Sequence, residues 1–367
     1  MQFICDKNEL CNAIAHVSKA VSAKSTIPAL EGICIQMQEG VITLTGYDLE
    51  IGIRTTMAAK CHDNFSFVLN ARLFGDMARR MTGDEILFEI DEDLNAKLSS
   101  NDTTCRISAM SAEDFPDLPV VETTTKTVIS QEILRSMIQQ TSFAASTKED
   151  KPILTGLLFE SGDGMFYVVA MDRYRLAMRQ EAVSDLGTFR FVVPKKALGE
   201  LIGMLKDDAD AVCEFATNGK HIVFSVNGFD LFARLLEGQF HNFRSSIPSD
   251  AKTVVTMNTR DLAGCAELCA LFINDKNKAP MRCEFSNSAM SIYCKTGIGE
   301  VNDKVPADIA GESVTIGFSN KYITEALRAC ESDKIRLHMS GNNKVIKITP
   351  LEGESFVYLI MPIQLKN

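Results

Sequence analysis

One alternation of polar and apolar positions recurs three times along the chain. The segments "FICDKNELCNAIAHV" from Phe3, "VISQEILRSMIQQT" from Val128 and "VVTMNTRDLAGCAEL" from Val254 each pass from a β-prone run through a polar hinge into an amphipathic helix. Aligned on the first helical leucine, the step from Leu10 to Leu134 is 124 positions and from Leu134 to Leu262 it is 128. A second series interleaves with the first: "FVLNARLFGDMARRM" from Phe67, "FVVPKKALGELIGML" from Phe191 and "VTIGFSNKYITEALRAC" from Val314. Its apolar anchors Phe74, Leu198 and Ile323 are 124 and 125 positions apart. Two unlike patterns sharing one period make an internal repeat.

Between the predicted helices lie hairpin signals such as "MQEGVITLTG", "SGDGMFYVVAMDRYRLAM" and "FATNGKHIVFSVNGF", where Gly-containing turns separate β-branched and aromatic runs. The pattern predicts an α+β chain of three similar domains, 1–121, 122–248 and 249–367, each built from two helix-plus-strands repeats. The Pro-containing polar segments "EDFPDLPVVETTTK" and "SSIPSDAK" mark the joints. The chain ends on an apolar run, with seven of the eight residues from Val357 to Gln364 apolar or aromatic. Such a run is either a last core strand or part of a surface that something else covers.

The second helical series carries charge. Arg72, Lys196 and Lys321 stand two positions before the apolar anchors, about 160° away around a helix, and Arg79 and Arg328 stand five positions after them, about 140° away. Asp76, Glu200 and Glu325 follow the first three at i+4, so one reading is a solvated face of intrahelical salt bridges. The other is a basic surface, to which Lys19, Lys24, Arg80, Lys148, Lys151, Lys195 and Lys206 add cations without a regular acidic partner. The formal net charge of −10 argues against simple electrostatic adhesion to nucleic acid but allows a local basic face.

Composition sets the remaining bounds. At 367 residues, 46% hydrophobic and 23% charged, the chain reads as globular, with no apolar stretch near the roughly 20 residues that span a bilayer and no signal-peptide pattern. A cytoplasmic protein is expected, and the eleven scattered cysteines read as free thiols. Cys265 and Cys269 share a helix face but lack the partners of a metal site, so they read as small buried residues, with no metal and no cofactor expected. No phosphate-binding glycine loop, nucleophile elbow or zinc-protease helix occurs, and Asp48, Asp91 and Glu92 read as turn residues, so no catalytic group and no enzyme is expected.

Seven motifs in order then carry a resemblance: "TLTGYDLEIGI", "DFPDLP", "KPILTGLLFE", "AMDRYRLAM", "FVVPKKAL", "LEGQFHNFRSSIP" and "YLIMPIQL". Together they resemble the bacterial sliding clamps, the beta subunit of DNA polymerase III, from Met1 to Leu365. The resemblance implies a head-to-tail homodimeric ring that encircles double-stranded DNA without reading its sequence, a processivity factor. Lys24, Arg72, Arg79, Arg80, Lys148, Lys151, Lys195, Lys196 and Lys321 would touch phosphates. A pocket for short linear motifs of the replicative polymerase, the clamp loader and repair proteins would be lined by Leu154, Tyr174, Arg175, Leu176, Ile247, Tyr322, Val345, Leu359, Ile360, Met361 and Pro362. The ring joint would place Cys105 and Ile107 against Leu271 and Phe272 of a second copy. Met171, Arg173, His241 and Gln364 depart from the family's usual residues, so the pocket rim is expected to differ in shape and charge. A repeat-built peptide-binding scaffold that never encircles DNA is the alternative.

Overall fold

All six anchors of the two repeat series are buried inside helices. The computed structural model describes residues 1–122, 126–148, 150–184, 186–208, 210–274 and 276–365. The helices are α1 (Lys7–Val17), α2 (Ala71–Arg80), α3 (Gln131–Ser142), α4 (Lys195–Ile202), α5 (Thr259–Ala270) and α6 (Asn320–Ala329). The polar hinge ahead of three of them is a cap. Asp6 accepts from the Glu9 amide at 2.8 Å, Asn70 from the Leu73 amide at 3.1 Å and Asn258 from the Arg260 amide at 2.9 Å. Each satisfies an amide the helix itself leaves unpaired, worth about 1 kcal/mol.

The chain forms two compact units. The first comprises Met1–Glu132 and Lys196–Leu235. Its larger sheet has nine strands in the order Met110–Ser111, Phe65–Asn70, Gly32–Gln38, Val41–Tyr47, Ile51–Ala58, Phe229–Arg234, His221–Val226, Val212–Thr217 and Thr127–Ser130. The seam between its halves is an antiparallel ladder in which Ile53 faces Leu231. A five-stranded sheet ends in the edge strand Thr103–Ser108, and α1 packs beside α2 over the core.

The second unit comprises Ile133–Lys195 and Leu236–Asn367. Its nine-stranded sheet runs Phe189–Pro194, Gly156–Gly162, Met165–Met171, Arg175–Ala182, Phe356–Ile360, Ile346–Pro350, Lys334–Met339, Thr253–Asn258 and Asp308–Gly311. A four-stranded sheet ends in the edge strand Gly299–Pro306, and α5 packs beside α6. Residues of the expected middle domain, 122–248, thus contribute to both units.

The apolar ending is a core strand followed by a surface. Phe356–Ile360 is buried throughout, its ladder setting Leu359 opposite Leu176 and Ile360 opposite Arg175 on one side and Ile346 on the other. Beyond it the Met361 amide donates to the Tyr174 carbonyl at 2.8 Å, and the side chains of Met361 and Ile363 are exposed.

Candidate functional site

The most elaborate constellation lies in the second unit, where the motif "MDRYRL" turns between two strands. Asp172 makes the turn: its Oδ1 accepts from the amides of Tyr174 at 2.7 Å and Arg175 at 3.0 Å. The corresponding residue one repeat earlier, Asp48, does the same for Glu50 at 3.0 Å and Ile51 at 2.7 Å, so its reading as a turn residue holds. Asp91 likewise accepts from the Asn95 amide at 2.8 Å.

This turn exposes Tyr174 and buries Arg175. The Arg175 guanidinium takes Asp172 Oδ2 at 3.1 Å, pairs with Glu325 on α6, and lies 4.6 Å from the Tyr322 ring centroid. Tyr174 stacks on Tyr322 with centroids 6.2 Å apart. Behind them is an apolar floor of Leu176, Val192, Phe240, Phe243 and Leu359, against which Leu154, Ile247 and Val345 pack half-buried. Of the expected pocket residues, then, Tyr174, Tyr322, Leu154, Ile247, Val345, Pro362 and Met361 reach the surface. Leu176, Leu359 and Ile360 form its support and are closed to solvent. A cleft of about 940 Å³ adjoins this floor, bounded in part by Leu154, Met171, Arg173 and His241.

The basic residues fall in both units. In the first, Lys24, Arg72, Arg79, Arg80 and Lys196 are exposed; in the second, Lys148, Lys151 and Lys321 are exposed and Lys195 is half-buried. Burial, reinforced by Arg175 nearby, lowers the Lys195 pKa.

Among the described residues, the pairs Arg72–Asp76, Lys196–Glu200 and Lys321–Glu325 of the salt-bridge reading do not form, although Asp76 does hold an i, i+4 partner in Arg80. Asp76 takes Arg79 at 2.7 Å and Arg80 at 3.7 Å, Glu200 takes Lys19 at 3.8 Å, and Glu325 takes Arg175. Lys196 reaches across to Asp48 at 2.6 Å. Exposed i, i+4 pairs are worth only a few tenths of a kcal/mol, so any better-placed or less solvated partner displaces them.

The expected joint residues lie in or beside two edge strands. Cys105 and Ile107 share the half-buried side of Thr103–Ser108. Leu271 is 69% exposed just after α5, and the Phe272 ring lies so close over Gly299 that an added Cβ there would sit 2.4 Å from it. That glycine begins the edge strand Gly299–Pro306. The cysteine pair on α5 is buried, Cys265 donating to Asp303 at 3.2 Å, and burial pushes both thiols up to about 12.

The family of the DNA polymerase III beta subunit matches the chain in three parts, its N-terminal domain over residues 1–119, its central domain over 128–242 and its C-terminal domain over 244–364. The beta sliding clamps of Halalkalibacterium halodurans and Bacillus subtilis are each 29% identical to it, covering 99% of this chain and 100% of their own. Among solved structures, a putative DNA polymerase III beta subunit of Eubacterium rectale superposes with a TM-score of 0.96 at 28% identity over 99% of both chains. The DNA polymerase sliding clamp of Bacillus subtilis does so with a TM-score of 0.96 at 27% identity over 100% of both. The α+β architecture of repeated helix-plus-strands units is the DNA clamp fold.

Proposed function

The chain belongs to the DNA polymerase III beta subunit family and is a DNA polymerase processivity factor, and we propose that it works as a homodimeric ring, closed head to tail, that encircles duplex DNA and slides on it. The observation that supports the ring is a pair of edge strands of six and eight residues, Thr103–Ser108 and Gly299–Pro306, one in each unit. Long unpaired edges invite pairing with another chain, and joining one copy's first such strand to the other copy's second, twice over, pairs these four. Cys105 and Ile107 then meet Leu271 and Phe272.

The exposed cations Lys24, Arg72, Arg79, Arg80, Lys148, Lys151, Lys196 and Lys321, with the half-buried Lys195, act as phosphate contacts. A ring held by topology needs only weak attraction, which is consistent with a chain of net charge −10. The Tyr174–Tyr322 surface with its apolar floor and the exposed Met361 receives short linear motifs of the replicative polymerase, the clamp loader and repair proteins. The division into domains 1–121, 122–248 and 249–367 belongs to the same proposal, supported by the 124-residue step of the repeat. In this role the protein needs no cofactor and performs no chemistry. It works in the cytoplasm, a reading consistent with the finding that no helix among the described residues is long and apolar enough to cross a membrane.

The test is topological. The protein is loaded onto nicked circular DNA with a matched clamp loader, and the circle is then cut once. Release on cutting is the expected result. Retention on the linear product would mean ordinary affinity binding, and failure to load would favour a peptide-binding scaffold that does not encircle DNA.

A further inference from the structure

Helix α5 runs along the strand Gly299–Pro306 in a fixed register. Cys265 on the helix donates to Asp303 at 3.2 Å, and beyond the helix end the Phe272 ring covers Gly299. Asp303, Val301 and Gly299 are alternate residues of that strand, so all three share the face turned toward the helix. One turn of helix, from Cys265 to Cys269, rises about 6 Å, and two strand residues cover about 7 Å, which sets Cys269 over Val301. Val301 is paired directly with Cys294 on the neighbouring strand Ala289–Thr296, so the Cys294 side chain points the same way.

Two thiols therefore meet between helix and sheet. Cys269 and Cys294 share a side-chain hydrogen bond, and both are closed to solvent, at 0% and 1% exposure. Cys283 lies one row away, opposite Ile292 and so in the row of Asp303. With Cys265 this layer holds four sulfurs, yet no three metal-ligating side chains among the described residues are placed to hold an ion. The chemistry open to the adjacent pair is the sulfur–sulfur bond.

We propose that Cys269 and Cys294 are a redox modification site, which a hydroperoxide closes to a disulfide that fastens the end of α5 to its sheet. The Cys269 sulfur, having lost its proton, attacks the peroxide; the O–O bond breaks, one water leaves and the sulfur becomes a sulfenic acid. The Cys294 sulfur then displaces hydroxide from it, so the S–S bond forms, the two thiols have given up two electrons, and the hydroxide leaves with a proton as a second water. Burial keeps the Cys269 thiol protonated, so closure waits for the last turn of α5 to fray and is slower than at an exposed thiol. The Cys269 carbonyl also accepts from the amides of Phe272 and Ile273, both at 3.0 Å, so a bridge at this residue holds the segment that presents Leu271 and Phe272. A second consequence rests on the proposed ring: with this face of the joint held in place, copies exchange more slowly.

The full-length protein is treated with hydrogen peroxide, unfolded in iodoacetamide to block the remaining thiols, and digested for mass spectrometry. One peptide pair joined through Cys269 and Cys294 is the expected product. A bridge from Cys269 to Cys283 instead, or blocked thiols at both 269 and 294 in a sample whose half-buried Cys11 and Cys105 are oxidised, would overturn the proposal. Cys294→Ala should form no bridge at Cys269, and circular dichroism checks that it keeps its fold. Exchange between copies carrying different fluorophores is then followed before and after oxidation. Any oxidation at Cys105 is common to both proteins, so the difference between them reports the bridge. Oxidation should slow exchange of the unaltered protein by about threefold more than that of Cys294→Ala, because the joint face is held ready for its partner. A bridge that leaves exchange unchanged would overturn its effect on the joint. Protein that sediments as a monomer before oxidation would overturn the ring, while the bridged peptide would still establish the disulfide site.

Discussion

Arg175 and Glu325 form an ion pair that ties the strand Arg175–Ala182 to α6, with the Tyr322 ring stacked under the guanidinium at 4.6 Å. The arginine side chain is only 7% exposed and also holds Asp172. Removing it leaves two carboxylates without their cation, one of them in the turn that presents Tyr174. Arg175→Ala should lower stability by about 3 kcal/mol. Arg175→Lys should recover little, because an ammonium cannot serve both acids and the ring from one plane. Urea unfolding of the two variants checks this; a near-normal Arg175→Lys protein would show that charge alone suffices.

The terminal run divides between Ile360 and Met361. Leu359→Ala removes a fully packed side chain beneath the pocket and should cost about 2–5 kcal/mol. Met361, 45% exposed, should tolerate alanine within about 0.5 kcal/mol while losing affinity for partner peptides. Thermal melts and fluorescence polarisation on the pair separate the two roles. Equal stability losses would mean that the strand continues past Ile360.

At the proposed ring joint, Phe272→Asp places a carboxylate where an apolar contact is expected, and the variant should sediment as a monomer. Gly299→Val should do the same indirectly, since a side chain there collides with the Phe272 ring. A Phe272→Asp protein that still sediments as a dimer would sink this assignment of the joint.

Lys196 already has a partner in Asp48, whereas Arg72 and Lys24 lie exposed on the surface. Charge reversal at Lys24 and Arg72 should therefore shorten retention on closed circular DNA more than Lys196→Ala does. Asp48→Asn should lengthen it by freeing the lysine. Retention is measured across a salt series, since each lost phosphate contact also reduces the salt slope by about one. An unchanged slope in the Lys24 and Arg72 variants would remove them from the contact set.

Three histidines give the fold an acid limit. Burial, in each case the largest cause, lowers the imidazole pKa of His16, His221 and His338 below the ordinary 6.5, with Lys19, Arg234 and Lys347 respectively adding to it. A group whose folded pKa is depressed binds its proton more readily in the unfolded chain, so its stabilisation is complete above 6.5 and is lost as pH falls through the lower folded value. The melting temperature should be level from pH 8 to about 7 and fall below about 6.5. His338→Gln, which can keep the 3.0 Å contact to Thr349, should flatten part of that fall. A melting temperature that rises on acidification would contradict it.

The six helices are legible because each carries an apolar anchor such as Leu10 or Ile323 at a near-constant period, three of them behind a cap residue such as Asp6 or Asn258. The exposure of Arg72, Lys196 and Lys321 follows from the same helical geometry. The partners of Lys196 and Glu325 are not legible in this way, since i+4 spacing says which residues can meet on a helix and nothing about Asp48 or Arg175 arriving from elsewhere in the fold. Strand register across long separations was equally hidden. Ile53 faces Leu231 because of how two repeats are laid side by side, and no local pattern in either strand encodes the other. The cationic wall of the cleft combines Lys151 and Arg173 with Arg190 and Arg244, residues from separate loops and strands that only the folded chain assembles.

The ladder between Ile51–Ala58 and Phe229–Arg234 also bears on where the proposed ring would give way under load. Tension along the first unit passes through backbone hydrogen bonds between two strands, each covalently continuous with its own half of the sheet. In the proposed ring, the seam between copies would have the same kind of bonds but no chain crossing it, reinforced by side chains such as Phe272. Under load the proposed ring is therefore expected to part at its seams, where no covalent chain spans the ladder, while the ladder of Ile51–Ala58 and Phe229–Arg234 holds.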